Sequence, residues 1–588
     1  MAFVVSSRSI LALRYDGPHM VNIVLHTHLP WVLNHGAWPH GSDWVCEATA
    51  ECYLPLLDMC RRLVHDGITP GITFTMSPVL AEQLAHPAYP ALFSDYCTSH
   101  AQLARADHQH LSQEGAPQEQ LALAEYWERW YLQKLDEFTN NHGSDIIASF
   151  RELADAGAIE IITCGATHGY LPLLAEDASV RLQVALAQRV HHRHFGRRPS
   201  GMWMPECAYR PAYPWRTLLP VAPYATARPR LGVETVLNDY GMRYTVVDEA
   251  SIAGSTPIAM RRPDGTYLAI DEADAVTRSM LDERSALDAF WAGDPLHRKG
   301  MGVFARSMSI ALQVWSGQTG YPGDPDYLDF HKKFFKSSLR YWRVTDVKAD
   351  MAHKDYYRPE WAVGKAQEHA AHFVSILGAT INHRSGVTGR MPTVCLPFDT
   401  ELFGHWWFEG PVFLEHVLRG LAAAGIQAST LETSMSVNPP TAVVALPESS
   451  WGRNGNHDVW MHSSTQWMWE REYRLEHRVR MLFEKHSQRQ WSADEHRVLG
   501  AMMREVVLAQ ASDWPFLVST GSAAEYASMR FHNHVEDALA LADACERLAG
   551  GGILTDADEA VLVGVEQRDA LFPEILDVLG IHEVNPRV

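Results

Sequence analysis

The sequence predicts an α/β protein built on an incomplete (β/α)7-type barrel, with a helical insertion and an α-helical C-terminal domain. Short apolar strands that end in polar residues alternate with longer amphipathic helices along most of the chain. No glycine-rich phosphate loop follows the first strand, so a closed or nearly closed barrel fits better than a doubly wound sheet. The predicted strands span residues 21–26, 71–76, 159–164, 201–206, 244–249, 302–307 and 393–399.

Two segments interrupt this alternation and suggest additional parts. Residues 85–145 are rich in Gln, His, Ala and Glu and predict a helical insertion, and helical patterns dominate from about residue 470 onward. The first strand begins just after Met20, so the preceding residues are predicted to be an extension without a role in the chemistry. The predicted organisation is therefore an extension (1–20), a barrel (21–84 and 146–425), the insertion (85–145) and a mainly helical C-terminal domain (426–588).

Composition excludes several classes of function. The 588 residues carry a formal net charge of -20, which argues against a nucleic-acid partner, because binding to phosphates requires clustered Lys and Arg. The eight cysteines form no CxxC pair, so the sequence suggests neither a disulfide framework nor a thiolate zinc site, and it favours a cytoplasmic location. No apolar run is long enough for a membrane span, and the N-terminal residues make a poor signal peptide.

The 19 tryptophans are unusually many, and several lie in loops rich in Gly and Asp. A tryptophan most often packs in a core, but its indole face also matches the apolar face of a pyranose ring. The loop tryptophans therefore raise the expectation of a sugar ligand.

Two carboxylates at predicted strand ends are candidates for glycosyl chemistry. Loops at the carboxyl ends of barrel strands converge on one pocket, which would bring Glu206 and Asp399 together. Such a pair serves as nucleophile or base and as general acid, and the sequence does not distinguish retaining from inverting chemistry. His26, His28 and His168 also follow strands and are candidates for contacts with sugar hydroxyls. Two other interpretations are a metal-dependent deacetylase that uses these histidines and a glucan-binding protein without turnover.

Several motifs resemble the conserved regions of glycoside hydrolase family 57, in the family's usual order. These motifs are HTHLP (26–30), TCGATHGYLPLL (163–174), WMPECAYRP (203–211), LPFDTELFGHWW (396–407) and SSWGRNGNHDVW (449–460). Four further phrases are similar to the 1,4-α-glucan branching enzymes of that family, namely PECAYRP, GYPGDPDYLDFH, YWRVTD and QASDWPFLVSTG. The resemblance extends from about residue 21 to 535.

The resemblance implies a retaining enzyme with Glu206 as nucleophile and Asp399 as acid/base, without a metal or other cofactor. It implies transfer of an α-1,4-glucan chain to a 6-hydroxyl, and the alternatives are a 4-α-glucanotransferase or an amylase-type hydrolase. It also implies that the C-terminal domain contributes to the substrate cleft, and it leaves the oligomeric state open. Implied substrate contacts, besides the three histidines, are Trp38, Trp44, Trp315, Trp451, Trp460, Arg306, Gly323, Asp458 and Asp513.

Three of these positions have a competing structural interpretation: Arg306 as an internal ion pair, Gly323 as a turn and Asp513 as a helix cap. Branching enzymes of the family carry a mobile loop with a tyrosine at its tip. The matching stretch here, 250–300, has weak periodicity and predicts a long loop over the active site. Tyr267 is the one tyrosine within that stretch and is the candidate tip residue.

Overall fold

The computed structural model describes residues 19–37, 39–262, 264–293, 300–487 and 489–581. The predicted extension lies outside the described residues as far as residue 18. The strands are β1 His19–Thr27, β2 Ile72–Met76, β3 Ile159–Thr163, β4 Tyr213–Trp215, β5 Arg228–Arg230, β6 Tyr244–Asp248, β7 Thr256–Arg261, β8 Tyr267–Ala269, β9 Phe290–Ala292, β10 Met301–Arg306, β11 Thr393–Asp399, β12 Ile426–Ala428 and β13 Ala442–Ala445.

The helices are α1 Ser42–Ala48, α2 Leu54–His65, α3 Pro78–Leu84, α4 Tyr89–Gln113, α5 Gln118–Asp136, α6 Ile146–Asp155, α7 Asp177–Phe195, α8 Val233–Asp239, α9 Glu249–Ala253, α10 Ala275–Asp282, α11 Met308–Trp315, α12 Pro359–Thr388, α13 Gly410–Ala423, α14 Leu431–Val437, α15 Gln466–Lys485, α16 Ala493–Ala509, α17 Asp513–Thr520, α18 Ala524–Ala549, α19 Asp556–Arg568 and α20 Ile575–Val578. Within the described part of the chain, no helix has both the length and the apolar character that a membrane span requires.

Six parallel strands and a two-residue bridging segment, which stands where the sequence predicts the strand 201–206, form the seven-membered barrel. β11, β1, β2 and β3 are neighbours in that order, and β6 pairs with β10. The ring is completed by Gly201–Met202, which bridges to Thr163 on one side and to Tyr244 on the other, and by the pairing of Arg306 with Cys395. Because these two junctions are short, the barrel is incomplete, and this confirms the predicted fold class.

The strands alternate between the barrel interior and the surrounding helices. On β1, Val24 belongs to an interior cluster with Trp203 and Phe304, whereas Ile23 and Leu25 pack into the outer core. The long helix α12 faces that core with a stripe at helical spacing, formed by Ala362, Ala366, Ala370, Phe373, Leu377 and Ile381. Apolar side chains thus fill both sides of the strands, and the polar side chains of the site lie at the strand ends.

A mixed extension of the sheet corrects two sequence predictions. β9 pairs antiparallel with β10, and β13, β7 and β8 continue the sheet, so the described part of the segment 250–300 is not one long loop. β7 and β8 lack a clear alternation because most of their residues are only partly buried. The barrel boundary at residue 425 is also wrong, because β12 pairs with β1 and β13 pairs with β9.

Gly201 offers a direct test of how the barrel closes. A Cβ atom at this position would lie 2.2 Å from the ring of Tyr244, across one of the two short junctions. We expect Gly201→Ala to lower the free energy of unfolding by about 1–3 kcal/mol, as overpacking does elsewhere.

Gly364→Ala is the matched control, because this helical glycine of α12 has no atom within 4 Å of an added Cβ. We expect it to stabilise the protein by roughly 0.5–1 kcal/mol through helix propensity. Chemical denaturation of both variants measures the difference, and equal midpoints would contradict a tight junction at Gly201.

Candidate active site

The carboxyl ends of the barrel strands carry a ring of polar side chains. In the strand register, His26 of β1 lies opposite both Asp399 of β11 and Thr75 of β2, and Arg306 of β10 lies opposite Asp248 of β6. Since parallel strands end at one edge, the register alone brings these groups together. Glu206 follows the bridging segment Gly201–Met202, and its carboxylate lies close enough to Asp399 to raise the pKa of Asp399.

Glu206 sits on a strained turn and accepts two hydrogen bonds. Its backbone is left-handed, with φ of 63° and ψ of 22°, a conformation that is uncommon for residues other than glycine. One carboxylate oxygen accepts from the indole Nε1 of Trp451 at 2.7 Å, and the other accepts from the hydroxyl of Ser512 at 2.9 Å. Burial raises the pKa of Glu206 to about 7, and these two bonds oppose the rise because they stabilise the ionised form.

The surroundings of Asp399 favour its protonated form. Burial raises the pKa of Asp399 well above its usual range, and the nearby Glu401 and Glu206 carboxylates raise it further, while Arg306 lowers it. Asp399 therefore suits a proton donor, whereas Glu206, with two donors to its carboxylate, suits a nucleophile.

A chain of four hydrogen bonds leads from β2 to the carboxylate of Glu206. The hydroxyl of Thr75 is 2.6 Å from Nδ1 of His26, and Nε2 of His26 is 2.9 Å from Nε2 of His168. The chain continues from Nδ1 of His168 to the hydroxyl of Ser512 at 2.7 Å, and then to Glu206.

The direction of these bonds follows from the ionised carboxylate at the end of the chain. Because the carboxylate accepts, Ser512 donates to Glu206 and accepts from the Nδ1–H of His168. Burial lowers the pKa of both His168 and His26 well below the usual value, so both rings are neutral. His26 then donates from Nε2 to His168 and accepts the Thr75 hydroxyl at Nδ1, and every bond points toward Glu206.

His28 ties the barrel to the C-terminal helices beside this chain. Its ring stacks on His168 with centroids 3.9 Å apart, and its Nε2 lies 3.1 Å from a carboxylate oxygen of Asp513. Asp513 is the first residue of α17, and its neighbour Ser512 donates to Glu206. The C-terminal helical part therefore contributes directly to the site.

Arg306 forms the internal ion pair that was one of its two sequence interpretations, and its contact with substrate stays a prediction. Its guanidinium pairs with Asp248 at 2.6 Å, so it is an internal ion pair. It also donates to the carbonyl of Trp451 at 3.2 Å and lies 5.3 Å from the centre of that indole ring. Arg306 thus holds the tryptophan that in turn donates to Glu206.

Aromatic rings extend from the carboxylates along one side of the site. Trp451 contacts Trp203 and Trp315, with ring centroids 5.1 and 6.3 Å apart, and Trp315 approaches Trp406 at 6.3 Å. Trp406 is 42% exposed, so this row reaches the surface. Such a row offers flat apolar faces to successive sugar rings.

For four other predicted residues, the contacts of the described part of the chain include none with Glu206 or Asp399. Trp460 is wrong as a sugar platform, because its ring is fully buried and packs 4.7 Å from the ring of Tyr170. Asp458 is exposed and accepts from Asn456, and Trp44 lies in α1 beside His40. Gly323 belongs to a tight turn, where a Cβ would come within 2.3 Å of the Gly317 carbonyl oxygen.

The predicted loop-tip residue lies on a strand. Tyr267 is the first residue of β8 and pairs with Arg261 of β7. Among the contacts of the described residues, none joins Tyr267 to Glu206 or Asp399. Trp38 lies outside the described residues.

Several site residues were not predicted from the sequence. Trp203 stacks on His26 with centroids 4.7 Å apart, and Glu401 accepts a 2.7 Å hydrogen bond from Tyr53. Ser512 and Asp248 were also missed. Trp203, Glu401 and Ser512 lie within quoted motifs, and Asp248 lies in the predicted strand 244–249. All four positions therefore carried a signal that only the fold resolves.

Two groups at this edge have ligand atoms close enough to hold a metal ion. They are His26 with Cys164 and His168, and His28 with His168 and Asp513, each within 4.8 Å. Direct hydrogen bonds between His26 and His168 and between His28 and Asp513 account for the close approach. The donor set therefore fits a hydrogen-bonded network around a carboxylate, and it gives the deacetylase hypothesis no separate support.

Comparison with known families identifies the scaffold. The model described as glycosyl hydrolase family 57 matches residues 22–447. The chain belongs to glycosyl hydrolase family 57. A second model, described as the C-terminal domain of 1,4-alpha-glucan branching enzymes, matches residues 472–577. That range includes Ser512 and Asp513.

Relatives and solved structures agree with this family assignment. A 1,4-alpha-glucan branching enzyme from Thermococcus kodakarensis is 36% identical over 565 residues, covering 95% of this chain and 78% of the relative. The crystal structure of a family 57 branching enzyme from Thermococcus kodakaraensis superposes with a TM-score of 0.84 at 35% identity, covering 97% and 98% of the two chains. The branching enzyme of Pyrococcus horikoshii gives 0.83 at 33% identity, with the same coverage.

Ser512→Ala tests the hydrogen-bond chain. Removing the hydroxyl removes a donor to ionised Glu206, so the pKa of Glu206 rises and the acid limb of the pH–rate profile moves to higher pH. One lost hydrogen bond corresponds to a displacement of roughly one pH unit. Ser512→Thr keeps a hydroxyl and should keep the parent profile. A lower rate with an unmoved acid limb would show that Ser512 has only a packing role.

Proposed function

We propose that this chain is a 1,4-α-glucan branching enzyme, which cleaves an α-1,4 bond of a glucan and transfers the released chain to a 6-hydroxyl. The observation that carries the proposal is the 2.9 Å hydrogen bond from Ser512 to Glu206. The donor lies within the region that matches the branching-enzyme C-terminal model, and the acceptor is the candidate nucleophile. The region that matches the branching-enzyme C-terminal model therefore supplies a hydrogen bond to the candidate nucleophile, which supports the proposal.

The first half of the proposed reaction forms a covalent glycosyl enzyme. Glu206 attacks the anomeric carbon, the α-1,4 bond breaks, and Asp399 gives its proton to the departing oxygen. The hydrogen bonds from Trp451 and Ser512 hold the Glu206 carboxylate ionised and oriented for this attack. The product is a β-linked ester, because the attack inverts the anomeric carbon.

The second half transfers the chain to its acceptor. Asp399, now ionised, removes the proton from the acceptor 6-hydroxyl, whose oxygen attacks the anomeric carbon and displaces Glu206. The second inversion restores the α configuration and makes an α-1,6 branch. The row of Trp451, Trp315 and Trp406 supports a role in binding successive glucose rings of the donor chain.

A 4-α-glucanotransferase or an amylase-type hydrolase of the same family is the alternative. Either would use Glu206 and Asp399 in the same way and would differ only in the acceptor, a 4-hydroxyl or water. The matched C-terminal region favours branching over both.

We also propose a reducing, cytoplasmic location for the enzyme. All eight cysteines are buried and unpaired, which supports an environment that maintains free thiols.

The acceptor is tested by proton NMR of amylose after incubation with the protein. We expect new α-1,6 anomeric signals without a matching rise in reducing ends. Disproportionated linear chains would indicate the transferase, and a rise in reducing ends would indicate the hydrolase. Sizing the chains after enzymatic debranching then gives the length transferred.

The two carboxylate roles are tested with Glu206→Gln and Asp399→Asn, each of which should lower activity on amylose by roughly three orders of magnitude or more. Circular dichroism controls for folding. Full activity in either variant would contradict the assignment.

Azide rescue with an α-glucosyl fluoride separates the roles, using Glu206→Gly and Asp399→Gly. In the nucleophile variant, azide displaces fluoride once and yields the β-glucosyl azide. In the acid/base variant, Glu206 inverts the centre first and azide inverts it again, which yields the α-glucosyl azide. The opposite pair of products would show that Asp399 is the nucleophile and Glu206 the acid/base.

A further inference from the structure

A second aromatic cavity lies on the surface, outside the catalytic centre. It has a volume of about 570 Å³ and is formed by the start of α5, the segment around residues 342–343, the segment 352–358 and the start of α12. Pockets of this size commonly hold small ligands. Among the contacts of the described residues, none joins its lining to Glu206 or Asp399.

Three aromatic side chains line this cavity. Trp342 and Tyr356 face each other across an antiparallel bridge, so their side chains lie on the same face of the ribbon. Their ring planes are inclined by only 23°, with centroids 6.5 Å apart, so the two rings form one broad surface. Trp361, in the first turn of α12, is 49% exposed and adds a third ring.

Three of the four cationic side chains that line the cavity are paired with carboxylates. The fourth, Lys332, lies 4.2 Å from the ring centre of Trp342, and Arg358 lies 4.2 Å from that of Trp361. Arg343 donates to Asp355 at 2.7 Å, Arg358 donates to Glu119 at 2.8 Å, and Lys354 pairs with Asp329 at 2.5 Å. These pairs fix hydrogen-bonding groups around the aromatic rings without a strong net charge. Such a surface suits an uncharged ligand with many hydroxyls better than a phosphate or another anion.

We propose that this cavity, lined by Trp342, Tyr356 and Trp361, is a second binding site for an uncharged α-glucan chain. Pyranose rings stack on the aromatic surface, and the paired Arg, Lys and carboxylate groups bond to the sugar hydroxyls. The identity of the sugar rests on the proposed function. The site accounts for Trp342 and Arg343 of the YWRVTD motif, which the catalytic centre does not use. Holding a polymer here raises its effective concentration at the catalytic centre.

The proposal is tested by native gel electrophoresis of the full chain in gels with and without amylopectin. We expect Trp361→Ala and Tyr356→Ala each to raise the dissociation constant for amylopectin about fivefold, the effect expected from losing one aromatic contact. Tyr356→Phe keeps the ring and should bind as the parent does. Phe335→Ala is the matched control, because Phe335 is 80% exposed on a neighbouring segment and does not line the cavity.

A second measurement separates this site from the catalytic centre. Trp361→Ala should keep the parent kcat/KM on short maltodextrins and lose activity on dilute amylopectin. Retardation equal to that of the parent in both alanine variants, or a parent that amylopectin does not retard, overturns the proposal. If the variants lose retardation while amylose gains no α-1,6 linkages, the binding site stands and the branching function fails.

Discussion

The buried carboxylate of Glu206 is the constraint on which the rest of the site depends. Burial alone favours the protonated form, which cannot attack an anomeric carbon. The fold counters this with two donors, Trp451 and Ser512, which lie 245 and 306 residues further along the chain. In the proposed reaction, the barrel therefore supplies the nucleophile, and later segments supply the hydrogen bonds that stabilise its ionised form. This dependence explains why the C-terminal helices are part of the catalytic unit and not an appended module.

The same later segments hold the strained turns of the site in place. His168, Glu206 and Cys207 all have positive φ, which costs of order 1–3 kcal/mol at each non-glycine position. Backbone bridges offset this cost where the strain occurs, since Gly169 pairs with Ala511 and Tyr209 pairs with Ser449. Each bridge lies one to three residues from a residue with positive φ, so the stabilising backbone pairs are next to the strained residues. The turns that aim His168 and Glu206 are thus stabilised by contacts that also deliver their hydrogen-bond partners.

Sequence patterns predicted the features that depend on neighbouring residues, namely the strands and the residues at their ends. Continuous apolar runs located six barrel strands and the bridging segment Gly201–Met202, and the strand-end rule for barrels selected Glu206 and Asp399 as candidates. Ser512 could not be found this way, because a serine at a helix start looks like an ordinary cap until the fold places it beside a carboxylate. Trp460 sits in a loop like that of Trp451, and only packing against Tyr170 makes it a core residue. The prediction of a long loop over residues 250–300 was wrong because β7 and β8 are short and half-buried. Such strands show no alternation of apolar and polar residues.

The unequal surroundings of the two carboxylates also explain how Asp399 can serve first as acid and then as base. Burial and the neighbouring carboxylates of Glu401 and Glu206 raise the pKa of Asp399, whereas Arg306 lowers it but is itself paired with Asp248. In the proposed reaction, the covalent ester removes the charge of Glu206. The pKa of Asp399 then falls because one of those neighbours is neutral, and its carboxylate becomes stable enough to accept the proton of the next hydroxyl. The charge of the nearby Glu206 therefore favours the proton on Asp399 before bond cleavage. The loss of that charge favours the ionised form of Asp399 afterwards.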